Sequence, residues 1–308
     1  MPSHAATLEL GRRWGIDDRA RFDQGRGGLP KLAIRTPLAE ADIYLHGAHV
    51  THFKPAGTDP LLYLSPESAF APRQPIRGGI PICFPWFAQH KTNPDLPLHG
   101  FVRLLPWQID ELTESADGRV RVGFTFEHHQ SDEMYSAFPH PFRLRLSITV
   151  GNALDLHLHI ENTGDQPLSC EAMMHTYLAV RDVRQVQLLG LENINYLDKT
   201  DDYAQKTQPT KALSFAGETD RIYLDTPAHC RLLDVPSDRE IIIEKSGSQT
   251  TVVWTPWVAK TQTLRDIPDE DWPHLLCVET GHASDNALEI APRTSHTMTT
   301  TLSTAPTR

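Results

Sequence analysis

A chain of 308 residues with 39% hydrophobic and 22% charged content can bury a large core, which excludes a disordered polymer. Its formal net charge of −10 lacks the basic footprint that nucleic acid or an anionic membrane requires, so an anionic ligand must meet a local cluster of Arg or Lys. No apolar run approaches bilayer length and Met1 to Asp18 lacks the apolar centre of a signal peptide, so neither a membrane nor a nucleic-acid partner is expected and the location reads as cytoplasmic.

In chain order, residues 1–29 are assigned a peripheral place. The segment Phe70 to Trp107 is rich in Pro, Gly and aromatics without a clear period, and is expected to form a long structured loop over a sheet. Beyond it the dominant signal is alternation of apolar and polar residues in short runs bounded by turn residues, the mark of half-buried strands. Val120 to Phe126 follows the turn Ala116-Asp117-Gly118. Phe142 to Ile148 runs into Gly151-Asn152, and Leu154 to Ile160 continues the meander. Later strands are expected over Val186 to Leu189, Arg221 to Leu224, Glu240 to Glu244, Thr250 to Trp254 and His274 to Glu279. Helical periodicity is scarce. The 24 prolines and 18 glycines are spread throughout, which argues against a linker. The expected architecture is all-β: one large antiparallel β-sandwich over residues 1–308 with few short helices.

Cys83, Cys170, Cys230 and Cys277 lie far apart with no C-x-x-C pair, and read as buried free thiols. His157 and His159 share a strand face opposite Leu156, Leu158 and Ile160 and read as a solvated pair. His46, His49, His128 and His129 lack accompanying ligands at a recognised spacing, so no metal site is expected. There is neither a phosphate-cradling P-loop nor a dinucleotide fingerprint.

Four stretches carry chemistry. In Ile76-Arg77-Gly78-Gly79-Ile80-Pro81 two glycines sit beside a cation, which fits either a tight turn with a solvated Arg or close backbone approach to a ligand. Leu98-His99-Gly100-Phe101-Val102-Arg103 brings a His and an Arg together, suited to a polyol and an anion. In Glu171 to Leu178, His175 and Tyr177 face one side of a strand and Met174 and Thr176 the other. Leu275-Leu276-Cys277-Val278-Glu279 is an apolar run ending on a carboxylate, costly unless paired or placed in a cleft. Trp86, Trp254 and Trp257 offer flat faces for a sugar ring or plain core material.

Taken in order, these motifs, with Val253-Trp254-Thr255-Pro256-Trp257, resemble the glucose-6-phosphate 1-epimerase family over roughly residues 30 to 300. Thr255 stands where that family often has Asn, and Pro292-Arg293 replaces a late Pro-Gly. The resemblance implies a galactose-mutarotase-like supersandwich that works as a monomer, without a cofactor, on a small sugar phosphate. It implies His175 as general acid and Glu279 as general base, His99 near the ring oxygen, Asp266 on ring hydroxyls, and Arg77 and Arg103 on the phosphate. Gln89 and Trp254 complete the substrate-binding candidates. Anomer exchange needs one group to take the proton of the anomeric hydroxyl and another to protonate the ring oxygen, and an acid and base on opposite sides of the sugar suffice. An ionised Glu279 is expected to shift His175 towards its protonated form. The competing expectations are a mutarotase of unphosphorylated aldoses, a non-catalytic carbohydrate-binding or sensor module, and a glycoside hydrolase using Asp266 with Glu279.

Overall fold

The computed structural model describes residues 4–307, with side chains from Thr7 onward. Two antiparallel sheets of eight strands each dominate it. The first runs, in spatial order, Val186–Leu189, Cys230–Asp234, Arg239–Ser246, Ser295–Pro306, Leu154–Asn162, Phe142–Val150, Val120–His128 and Gln108–Glu114. Its logic is visible in the meander read from sequence. Phe142, Leu144, Leu146, Ile148 and Val150 are buried in turn, and the register sets Leu144 against Ile160, Leu146 against Leu158 and Ile148 against Leu156. Each fully buried aliphatic side chain of this kind is worth about 1.5–3 kcal/mol, so a one-residue slip would expose the whole row. On the solvent face Arg143 bridges Glu127 and Glu161 at 2.7 and 2.9 Å, exposed pairs that steer register and add little stability.

The second large sheet carries the site. Its order is Ala204–Thr207, Asn195–Asp198, Thr219–Tyr223, Thr250–Thr255, Leu275–His282, then Ala172–Met174 and Tyr177–Ala179 side by side on one neighbour, and Ile82–Cys83. One face of this sheet supplies Val253, Leu276, Val278 and Leu178 to the same core as Leu156, Met298 and Leu302 of the first sheet. Alternation then turns Val252, Trp254, Cys277 and Glu279 to the opposite face.

A four-stranded sheet joins Ala20–Gln24, Pro30–Arg35, Ala39–Tyr44 and His49–Pro55. Ala20 and Phe22 are buried in the main core, so the later part of the segment given a peripheral place is integrated into this sheet; residues 1–3 lie outside the described residues. The remaining two-stranded ribbon is Leu168–Cys170 with Leu288–Ile290. Among the described residues the α-helices are His4–Trp14 and Trp257–Thr261, and no helix is long and apolar enough to cross a membrane. All four cysteines are free and buried.

Phe70 to Trp107 is the irregular covering segment the sequence suggests, holding the two-residue strand Ile82–Cys83 and a single 3-10 turn, Val102–Leu104. Backbone bonds stitch it to the site sheet: His175 N–H donates to the Pro81 carbonyl at 3.0 Å and Glu171 N–H to that of Pro85 at 2.9 Å.

Candidate active site

Ala172–Met174 and Tyr177–Ala179 pair with Leu275–His282 in one continuous register, with Met174 opposite Thr280 and Tyr177 opposite Cys277. The strand is interrupted at His175-Thr176, and the same register sets His175 across from Glu279. Their side chains meet with His175 Nε2 3.4 Å from Glu279 Oε1. The Tyr177 ring stacks on the imidazole at 4.6 Å and 7°, which fixes its plane. Both residues are almost wholly buried, at 6% and 1% exposure, yet His175 Nδ1 and Glu279 Oε2 have no hydrogen-bond partner. Each such atom costs about 1–3 kcal/mol, and two on one pair mark a site completed by a ligand.

These residues form the floor of a cavity of about 300 Å³, whose walls include Arg77, Phe87, His99, Arg103, Lys199, Asp220, Trp254 and Lys260. His99 enters from the covering segment with a left-handed backbone, φ 62°. Its Nδ1 accepts the Ala88 N–H at 3.1 Å, so the ring proton sits on Nε2, leaving a donor for the cleft. Next to it Gly100 has φ 71°, and a Cβ there would fall 1.8 Å from the Phe84 carbonyl oxygen, so only glycine lets the chain pass.

The cations divide into two kinds. Arg77 is engaged: its Nε donates to Asp266 Oδ2 at 3.0 Å and its Nη1 to the Tyr177 hydroxyl at 2.9 Å. Arg103 has no carboxylate partner among the described residues; it donates Nη2 to the Leu98 carbonyl at 2.8 Å and its buried Nε to nothing. Burial holds Arg103 below the usual guanidinium range, the cost of leaving such a charge without an anion. Lys199 pairs with Asp220 at 2.7 Å within the cavity.

Protonation runs opposite to the expectation from sequence. Burial pushes His175 well below its ordinary value, and the positive charges of Arg103 and Arg77 push it the same way. Burial also pushes Glu279 well above the carboxylate range, helped by the charge of Asp220. Desolvation of both partners outweighs their mutual attraction, so burial favours a neutral pair sharing one proton. Burial likewise keeps His99 neutral, followed by the charge of Arg103.

Of the residues proposed from sequence, His175, Glu279, Arg77, His99, Arg103 and Trp254 line one cavity. Asp266 stands behind it, braced against Arg77. Gln89 is exposed and donates its amide to the Pro94 and Leu96 carbonyls, inside the covering loop rather than towards the cleft. Trp86 donates its indole N–H to Pro97 and Trp257 packs on Trp272, so neither lines the cavity. Sequence reasoning missed Asp220, Lys199 and Lys260. Asp220 carries no signal like that of Glu279: it lies between Thr219 and Arg221, polar neighbours that make a carboxylate look ordinary, one residue before the expected strand start. His175, Cys277 and Glu279 bring possible ligand atoms within 4.8 Å of one another. Burial holds the Cys277 thiol protonated, and four cations share the cavity, chemistry that opposes a dication and favours acid-base use.

Comparison with known proteins places this geometry. A profile of the aldose 1-epimerase family matches residues 30–303. A Cenchrus ciliaris protein is 33% identical over 82% of this chain and 78% of its own length, and an Escherichia coli K12 protein is 33% identical over 87% and 88%; both carry the name "putative glucose-6-phosphate 1-epimerase". The crystal structure of a "putative mutarotase" from Salmonella typhimurium superposes with a TM-score of 0.87 at 26% identity, over 96% of both chains. The chain belongs to the aldose 1-epimerase family.

Proposed function

We propose that the protein interconverts the α and β anomers of a hexose 6-phosphate, glucose 6-phosphate first among them, by acid-base ring opening and reclosure. The observation that carries this reading is Arg103, a half-buried guanidinium with a fully buried, unbonded Nε and no carboxylate partner among the described residues, in the same cavity as Arg77 and the His175–Glu279 pair. An unneutralised cation in a sugar site calls for an anionic sugar, and guanidinium matches phosphate geometry. The names of the Cenchrus and Escherichia relatives support the same substrate.

Glu279 takes the proton of the anomeric hydroxyl. As C1=O1 forms, the C1–O5 bond breaks, its electron pair goes to O5, and His175 protonates that oxygen. Rotation about C1–C2 turns the other face of the aldehyde; His175 then takes back the O5 proton, O5 attacks C1, and Glu279 returns the proton to O1. No proton is consumed. Acid and base stand side by side on one face rather than on opposite sides, which serves as well because O1 and O5 are both bonded to C1. His99 Nε2–H stabilises charge at the ring oxygen, Asp220 accepts from ring hydroxyls, and Trp254 packs on the apolar face of the sugar. Asp266 acts through Arg77. Every group named comes from one chain, so a monomer suffices.

Phosphate does more than anchor. Arg103 and Arg77 are the charges that depress His175 after burial itself, and a bound phosphate offsets both. Substrate binding therefore favours the ionised form of the pair, imidazolium with carboxylate, that the reaction uses.

Magnetisation-transfer NMR of anomer exchange on glucose 6-phosphate and on glucose tests the reading. Faster exchange on the phosphate, lost in His175→Ala and Glu279→Gln, is the expected result. Equal rates on both sugars would move the assignment to a mutarotase of unphosphorylated aldoses, and cleavage of glycosides without exchange would overturn it.

A further inference from the structure

The His46-Gly47-Ala48-His49 turn takes no part in the acid-base chemistry, yet it is bonded to both arginine-bearing segments. On one side His46 Nε2 meets the Gln74 carbonyl at 2.8 Å, His49 Nε2 the Gly78 carbonyl at 2.7 Å, and Ile80 N–H donates to Val50 at 2.8 Å. These bonds bracket Arg77. On the other side Gly47 N–H donates to the Leu105 carbonyl and Trp107 N–H to that of Leu45, each at 2.8 Å, just beyond Arg103. Gly47 has φ 74°, and a Cβ on it would lie 2.7 Å from the Arg103 carbonyl oxygen, so the turn is seated directly against that segment.

His49 is 1% exposed. Because its Nε2 donates to Gly78, a neutral ring leaves Nδ1 as a bare acceptor, and that atom has no partner. Arg103 Nε is the complementary orphan, a buried N–H with nothing to receive it. Burial pushes His49 down to about 3, so the ring stays neutral and adds no repulsion to Arg103, whose charge it feels.

We propose that His49 is a positioning residue of the anion clamp: it holds the Gly78 carbonyl beside Arg77 and anchors the turn whose Gly47 is seated against the Arg103 backbone, and so fixes the segments that carry both guanidinium groups. The inference rests on the reading of Arg77 and Arg103 as the phosphate ligands. A histidine that merely filled the core would affect stability, or all substrates equally; a positioning residue affects the phosphorylated ligand selectively.

The test measures binding of inorganic phosphate by calorimetry, and anomer exchange on glucose 6-phosphate and glucose, for the wild type, His49→Leu and His49→Gln. His49→Leu is expected to weaken phosphate binding and raise the KM for glucose 6-phosphate about tenfold, with less than about threefold change in kcat/KM for glucose. His49→Gln, whose amide can still donate to Gly78, is expected to recover most of the loss. Unchanged phosphate affinity in His49→Leu, or equal losses on both sugars, overturns the inference while leaving the clamp intact. A wild type that does not bind phosphate overturns the clamp and this inference together. If His49→Leu does not fold, His49→Phe carries the test, because it keeps an aromatic ring in the core and removes both nitrogens: selective loss of phosphate affinity supports the proposal, and unchanged affinity overturns it.

Discussion

His175, in the two-residue gap between paired strands, and Glu279, on the strand opposite, are brought face to face by one ladder register, whereas Arg77 and Arg103 come from irregular chain held by glycines, a 3-10 turn and the His46–His49 bracket. The floor of the cleft is thus set by a ladder that cannot slip without exposing a core. The rim is set by a handful of separate backbone bonds. Acid-base chemistry common to any aldose needs the first kind of support, and recognition of one substituent can reside on the second.

If that division is right, damage to the floor is indifferent to substrate. Glu279→Gln and His175→Ala should each slow exchange by about 10²–10⁴-fold on glucose 6-phosphate and on glucose alike, read as kcat by NMR. A loss confined to the phosphorylated sugar would break the comparison. Damage to the rim should be selective and smaller. Arg103→Met is expected to lower kcat/KM for glucose 6-phosphate about 10²-fold, the scale of losing a desolvated charge-assisted contact. On glucose the same variant should hold or gain turnover, because a cation that depresses His175 is gone. Equal losses on both sugars would mean that Arg103 supports the floor as well.

The pH profile sharpens the distinction further. The reactive pair carries one proton. Its acid limit is set by His175, which burial, Arg103 and Arg77 lower, and its alkaline limit by Glu279, which burial and Asp220 raise. Turnover should therefore hold to more acid pH than an ordinary histidine allows and stay on beyond the ordinary carboxylate range. Arg103→Met should move the acid limb upward and leave the alkaline limb in place, since Arg103 is not among the charges that shift Glu279. A fixed acid limb would contradict the coupling.

The same contrast explains what could be read in advance. The strands from Val120 onward are visible because alternation is local, and Glu279 is visible because a carboxylate at the end of an apolar run violates it. Asp220 gives no such signal, because its neighbours Thr219 and Arg221 are polar and it lies at the start of the strand Thr219–Tyr223. The rim is another matter. Nothing near Gln89 in sequence says that its amide is used on Pro94 and Leu96, or that Asp266 braces Arg77, since both facts depend on where loops return. The direction of the proton on His175 was misread for a related reason. Residue types suggest attraction between an acid and a base, while burial, which opposes charge on both, is a property of the folded whole.

The smallest expected effect concerns stability, and it too separates floor from rim. A buried carboxyl whose folded-state value is raised contributes stability that is fully present below its unfolded value and lost as pH rises through the folded one. At neutral pH the wild type thus carries a penalty at Glu279 that an amide of the same shape does not. Glu279→Gln should match the wild type in thermal stability near about pH 4 and exceed it increasingly up to about pH 8, by about 1 kcal/mol or roughly 2–4 °C in Tm. Arg103→Met should instead gain at every pH in that range and gain most at its acid end, because the arginine charge itself does not titrate there while its loss relieves His175. Calorimetric scans across the range decide between the two patterns: a Glu279→Gln variant less stable than the wild type at neutral pH would mean that the pair is stabilised as an ion pair and that the neutral resting state is wrong.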